Sequence, residues 1–183
     1  MVFKVIKFYL LLLCIIIITP LSGRATPAAE EYQIKAVFLY NFANFITWPE
    51  TAFKNTSIPF TVCILGEDPF GQYLDITLKD QKSRGHSFEI RRIRSVAEAK
   101  PCHILFISQS EKNRFREIFS FTRNYTILTV GDMENFVEQG GMIEFSERNK
   151  KVKLNINPCA IEQVNLKAAA DLLRLAQIMR NCR

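Results

Sequence analysis

The chain has 183 residues, with 24 basic and 18 acidic side chains and a formal net charge of +6. Hydrophobic residues make up 48% and charged residues 23%, a balance that excludes wholesale disorder and supplies enough apolar mass for a core. One domain with at most a terminal appendage is expected at this length. No run approaches the roughly 18 uninterrupted apolar residues of an ordinary span, so a multi-span membrane protein is excluded.

The N-terminus reads as a separate segment. Lys4 and Lys7 precede an apolar block from Phe8 to Ile18, closed by Thr19-Pro20, and Gly23-Arg24-Ala25 offers small residues flanking a cut. A positive start, a short apolar core and a small-x-small exit describe a secretory signal peptide over residues 1–25, cleaved after Ala25. Cys14 is not read as a lipidation site, because Leu13 stands where a small residue is needed and isoleucines follow. Cleavage removes Lys4, Lys7 and Arg24 and no acid, so the net charge falls by three, from +6 to +3. A local basic run remains at Lys79, Lys82, Arg84, Arg91, Arg92 and Arg94. Its last three arginines fall on a strand that sends side chains to both faces, so a solvated edge strand is favoured over an anion-binding patch. No nucleic-acid partner is expected.

Residues 26–183 are expected to form the mature domain. Glu31 to Trp48 carries Ile34, Val37, Phe38, Phe42, Phe45 and Trp48 at helical spacing, widened by Ala36, Tyr40 and Ala43, and Pro49 halts it. These aromatics are read as core packing. Phe60 to Leu65 is a strand, Gly66-Glu67-Asp68-Pro69 a turn, and Phe70 to Thr77 a short helix. Phe88 to Ile93 alternates as a half-exposed strand, and Val96 to Lys100 is a helical turn closed by Pro101. Cys102 to Ile107 is a near-continuous apolar run, the mark of a strand covered on both faces. Ser110 to Phe121 is a helix and Tyr125 to Val130 another buried strand. Asp132 can cap a short helix, Met133 to Glu138, which Gly140-Gly141 ends. Met142 to Phe145 and Val152 to Ile156 flank Ser146 to Lys150 as an antiparallel hairpin, and Val164 to Met179 is an amphipathic final helix. Alternating strands and helices predict an α/β domain: a mainly parallel sheet with helices on both faces and an antiparallel edge hairpin.

In such sheets a ligand lies beyond the carboxyl ends of the strands. Those ends carry Glu67, Asp68, Ser108 and Asp132, the candidate crevice residues. Catalytic signatures are thin: there is no C-x-x-C, G-x-S-x-G, phosphate-loop or G-x-G-x-x-G pattern. His86 and His103 are the only histidines, and His103, inside an apolar strand, reads as a packed residue rather than a metal ligand. The Glu67-Asp68 pair resembles the acid pair of a receiver domain, yet Ser108 stands where the phosphoacceptor aspartate belongs. No enzyme activity, cofactor or metal is expected.

Export makes disulfides available. Cys63 in the first strand and Cys102 at the start of the central strand meet the geometry of a bridge if those strands are neighbours; two buried thiols are the alternative. Cys159 and Cys182 bracket the final helix, whose length separates them, so they are expected not to pair with each other, though Cys182 could link two copies.

Five segments carry a family resemblance: KAVFLYNFANFITWPE (Lys35 to Glu50), FTVCILGEDPFG (Phe60 to Gly71), CHILFIS (Cys102 to Ser108), ILTVGDMENFVEQGGMIEF (Ile127 to Phe145) and the last helix. Together they resemble the YfiR family of exported bacterial proteins across essentially the whole mature chain. The resemblance implies a periplasmic repressor of an inner-membrane diguanylate cyclase of the YfiN type, acting on its periplasmic sensor region and relieved by the outer-membrane lipoprotein YfiB. It also implies that Cys63 and Cys102 form the family disulfide important for folding. A second family bridge has no counterpart, since Val137 and Glu144 stand where its cysteines would be. The expected partners are thus an inner-membrane signalling protein, an outer-membrane lipoprotein and a second copy of the chain. The competing expectation is a small-ligand-binding domain or hydrolase using the crevice at Glu67, Asp68, Ser108 and Asp132.

Overall fold

The computed structural model describes residues 27–53, 55, 57–149 and 151–180. The expected leader and its cut after Ala25 lie outside these residues. Helix α1 (Pro27–Phe45) gives way to a short strand β1 (Ile46–Thr47), because this β-branched pair favours extended backbone, so Trp48 lies beyond the helix. A 3-10 turn (Glu50–Ala52) precedes β2 (Phe60–Leu65), followed by α2 (Gln72–Leu78), β3 (Lys82–Ser83) and β4 (His86–Ile93). A second 3-10 turn (Val96–Ala99) leads to β5 (Ile104–Ile107). The predicted helix after β5 starts as 3-10 (Gln109–Arg114) and continues as α3 (Phe115–Thr122), before β6 (Leu128–Gly131). The chain closes with β7 (Ile143–Arg148), β8 (Lys151–Ile156), α4 (Pro158–Gln163), β9 (Lys167–Ala168), α5 (Ala170–Arg174) and β10 (Gln177–Ile178).

The main sheet has the order β10-β8-β7-β6-β5-β2-β4-β3. Strands β4, β2, β5, β6 and β7 run parallel, β7 and β8 form the antiparallel hairpin, and β3 folds back antiparallel on β4. This is the predicted fold class, with one refinement at each margin. The hairpin sits one strand inside its margin, because β10 adds parallel to β8. At the other margin β3 covers the start of β4, so β4 is only partly an edge.

Alternation along the central strands builds two cores. Val62 and Ile64 of β2, with Ile104 and Phe106 of β5, face α1, α2 and α4. Cys63 and Leu65, with Leu105 and Ile107, face α3 and the Val96–Ala99 turn. A strand buried on both faces has no polar side to show, which is why β2 and β5 read as unbroken apolar runs.

One predicted helix is cut short and another is absent. Val164–Met179 has helical spacing, yet Asn165 turns the chain with a φ of 61° and β9 pairs antiparallel with β1, fixed by an Ala169 N–H donated to the Phe45 carbonyl. Strand pairing supplies a partner that propensity does not foresee. Met133–Glu138 is a run of turns rather than a helix. Phe136 there is fully buried against Gly141, where a Cβ would lie 2.2 Å from the ring. The close approach that Gly141 permits is therefore by a ring of its own chain.

Cys63 and Cys102 are joined, with Cα atoms 5.8 Å apart and 39 residues of separation. Closing a loop of that size stabilises the fold by about 3–4 kcal/mol in the chain-entropy model. Cys159 is also disulfide-bonded, and since Cys63 and Cys102 hold each other, its partner lies outside the described residues. The expectation that Cys159 and Cys182 do not pair lies outside the described residues, since Cys182 is not among them. Non-reducing peptide mapping is expected to yield Cys63 joined to Cys102. Alkylation of Cys63 and Cys102 in the folded protein would contradict the pairing.

Candidate functional site

β4 lies on one side of β2 and β5 on the other, so the strand order reverses there and a crevice is expected at their carboxyl ends. The chain fills it. Gly66 turns with a φ of +90°, and a Cβ on it would lie 2.2 Å from Ser110 Oγ and 2.9 Å from Glu111 Cγ. The Glu67 N–H donates to Ser110 Oγ at 3.0 Å, leaving the Glu67 side chain exposed. Asp68 Oδ1 accepts the Phe70 N–H at 2.7 Å, and its Oδ2 accepts Arg92 Nε at 2.8 Å. Ser108 is buried; its N–H donates to the Leu65 carbonyl at 3.0 Å and its carbonyl accepts the Glu111 N–H at 2.9 Å. Phe70 then packs edge-on against Phe106 at 4.8 Å and against Tyr32 at 5.4 Å, closing the mouth.

Asp132, expected as a helix cap, is instead the centre of a buried ion pair. Its Oδ2 accepts from Lys35 Nζ at 2.6 Å and from the Tyr32 hydroxyl at 2.8 Å, with the Lys35 and Asp132 side chains only 4% and 1% exposed. Lys35 Nζ also reaches Glu31 Oε1 at 2.6 Å and stands 4.3 Å above the Tyr32 ring. Burial, then the hydrogen bond to Asp132, pushes the Tyr32 phenol well above its usual range, so it remains a donor. Asp132 Oδ1 is buried and accepts no hydrogen bond among the described residues.

This pair sets the rotation of α1. Spacing placed Ile34 and Val37 on the buried face, but each is 48% exposed, while Lys35, Ala36, Leu39, Phe42 and Ala43 face the sheet. A helix that is apolar almost all round does not declare its phase by hydrophobicity. Lys35 was the missed residue, and its only signal was a lone cation inside an apolar stretch.

Three arginines of the basic run are held by partners within the fold. Arg92 pairs with Asp68 and Asp75, Arg91 with Glu89, and Arg84 Nη2 donates to the Ile46 carbonyl. The Arg92 hydrogen bond holds the Asp75 carboxyl below its ordinary range, against a smaller opposing effect of burial. The four crevice residues thus sit at the strand ends, where Asp68 and Asp132 are held in ion pairs, Ser108 is buried and Glu67 is exposed. A cleft of about 230 Å³ beside α3 and α4, lined in part by Phe119, Arg123, Thr129 and Met142, contains none of them. Among the described residues no group of three or more His, Cys, Asp or Glu side chains is placed to hold a metal ion, and no helix is long and apolar enough to cross a membrane.

The strand order, the switch point filled from within and the disulfide beneath it define a doubly wound α/β domain. The model of the YfiR/HmsC-like family matches residues 32–177, and the chain belongs to that family. No curated protein matches it in sequence. Among solved structures it is similar to a conserved domain protein from Vibrio cholerae O1 biovar El Tor N16961, at TM-score 0.54 and 9% identity over 80% of this chain and 59% of that one. It is also similar to an ABC domain in complex with L-Trp from Streptococcus pneumoniae, at TM-score 0.50 and 11% identity over 84% of this chain and 60% of that one. The chain thus spans about three fifths of the length of these structures, and the likeness is one of fold.

Gly66→Ala is expected to lower stability by about 1–3 kcal/mol in urea denaturation, since it adds a strained φ to a clash with Ser110. Adding Ser110→Gly should recover part of the loss. A Gly66→Ala variant as stable as the parent would contradict the filled crevice.

Proposed function

We propose that the chain is a periplasmic regulatory protein that represses or modulates an inner-membrane signalling partner, a YfiN-like diguanylate cyclase or a sensor kinase. It would do so by binding the partner's periplasmic sensor region. The observation that carries the reading is membership of the YfiR/HmsC-like family over residues 32–177, whose regulators act by contact. The pairing at the strand ends supports it: Asp68 is held by Arg92 and Asp132 by Lys35, so the rival reading of a small-ligand site or hydrolase finds two of its four polar groups already engaged. On this reading residues 1–25 direct export and are removed after Ala25, residues 26–183 form the working domain, and it has no catalytic centre. Its Cys63–Cys102 bridge suits an oxidising compartment. A regulator of this kind shifts its partner between states by binding one of them more tightly. An outer-membrane lipoprotein could then relieve the repression by competing for the regulator, and self-association of the free form is a further part of the proposal.

Deleting the gene is expected to raise cellular cyclic di-GMP. A photo-crosslinker on the mature surface should capture an inner-membrane cyclase or kinase. Unchanged cyclic di-GMP together with no captured membrane protein would overturn the proposal.

A further inference from the structure

The two histidines of the chain, at the start of β4 and just before β5, converge on one segment. His103 lies just before β5 and His86 opens β4, and each is 6% exposed. Both hold the segment between β1 and β2. His86 Nδ1 meets the Ile58 carbonyl at 2.6 Å, so Nδ1 carries the proton. His103 Nδ1 accepts the Thr61 N–H at 3.0 Å, so it is bare, and Nε2 carries the proton toward the Ala52 carbonyl at 3.4 Å. Between these anchors the Phe53 ring stacks on His103 at 4.5 Å and on His86 at 4.4 Å, and Phe60 stacks on His103 at 4.8 Å.

Only the neutral form of His103 fits this network. A proton on Nδ1 would set an N–H against the Thr61 N–H and leave both without an acceptor. Stacking on Phe53 and Phe60 favours a cation, but the other neighbours oppose it. His86 faces His103 from β4, and Lys100, just after the Val96–Ala99 turn, and Tyr125, before β6, line the adjoining cleft; no carboxylate lines that cleft. Burial, reinforced by His86 and offset in part by the Ala52 carbonyl, holds the His103 imidazole below its ordinary value of 6.5.

We infer that His103 forms an acid-sensitive latch. Neutral, it holds the Glu50–Ala52 turn and Phe53 on the amino ends of β2 and β5; charged, it releases them. The sign follows from proton linkage. A group with a depressed folded-state value binds more protons once released, so the latch is fully closed above pH 6.5 and loses stability as pH falls below it. A protein outside the inner membrane meets the acidity of the medium, and this segment would report it. The latch is a property of the chain alone and stands or falls apart from the proposed partner.

Trp48, the only tryptophan, is a built-in reporter: it is 3% exposed, adjoins the held segment and packs edge-on against Phe60 at 4.9 Å. Titrating the full mature chain from about pH 7.5 to 5.5 should shift its emission to the red. Exchange of the Thr61 amide, corrected for its intrinsic rate, should rise by up to about tenfold per pH unit below the ordinary histidine value. Amides of β7 should keep their protection. His103→Asn keeps an uncharged acceptor for Thr61 and should flatten both responses. Should that variant not fold, NMR titration of the His103 ring in the parent decides, with protonation expected below its ordinary value. Constant Trp48 emission and Thr61 exchange, a response shared equally by β7, or a His103 ring that titrates at or above its ordinary value would overturn the latch.

Discussion

The structure depends on one buried attraction, that of Lys35 for Asp132. Two charges removed from water are tolerated only when they compensate each other closely, and here a 2.6 Å contact, the Tyr32 hydroxyl and Glu31 complete the set. Hydrophobicity alone would let α1 roll on the sheet, since apolar side chains surround most of it. A cation that has one buried counter-ion, fixed to the end of β6, removes that freedom. Leu39, Phe42 and Ala43 are thereby directed into the core, and Ile34 and Val37 are left on the surface.

The same attraction closes the place where a domain of this topology would ordinarily receive a ligand. Tyr32 and Phe70 cover the mouth, Ser110 and Glu111 lie against Gly66, and Arg92 draws Asp68 sideways toward Asp75. Polar residues at the carboxyl ends of parallel strands are therefore used for cohesion. The Cys63–Cys102 bridge ties the other face of the same central strands, so both layers are held across β2 and β5. The amino end of the sheet has a different character. It relies on two buried imidazoles, their backbone hydrogen bonds and the Phe53 and Phe60 rings stacked on them.

Much of this was legible in the residues. The limits of β2 were read to the residue, and the parallel order followed from the alternation of strands and helices. The quoted segments led to the family, and the bridge between Cys63 and Cys102 could be placed conditionally. What escaped reading was long-range. Lys35 finds Asp132 across 97 residues, and β1 finds β9 across most of the chain, so neither leaves a local pattern. The final segment shows the cost of trusting period alone. Its leucines and alanines fit a helix, yet pairing at Lys167–Ala168 and Gln177–Ile178 cuts it into short pieces. Asp132 misled for the opposite reason, because an aspartate before an apolar run is a good helix cap until a buried lysine claims it.

The claim that Lys35 and Asp132 set the placement of α1 is tested most directly by a thermodynamic cycle on the pair, read by denaturant unfolding. Lys35→Met alone strands the Asp132 carboxylate and should lower stability by about 3–5 kcal/mol. Asp132→Leu alone should cost less, because Glu31 still balances Lys35. The double variant should recover most of the loss, since two apolar side chains can occupy the space without a stranded charge. Losses that simply add, or single variants each within about 0.5 kcal/mol of the parent, would contradict the account.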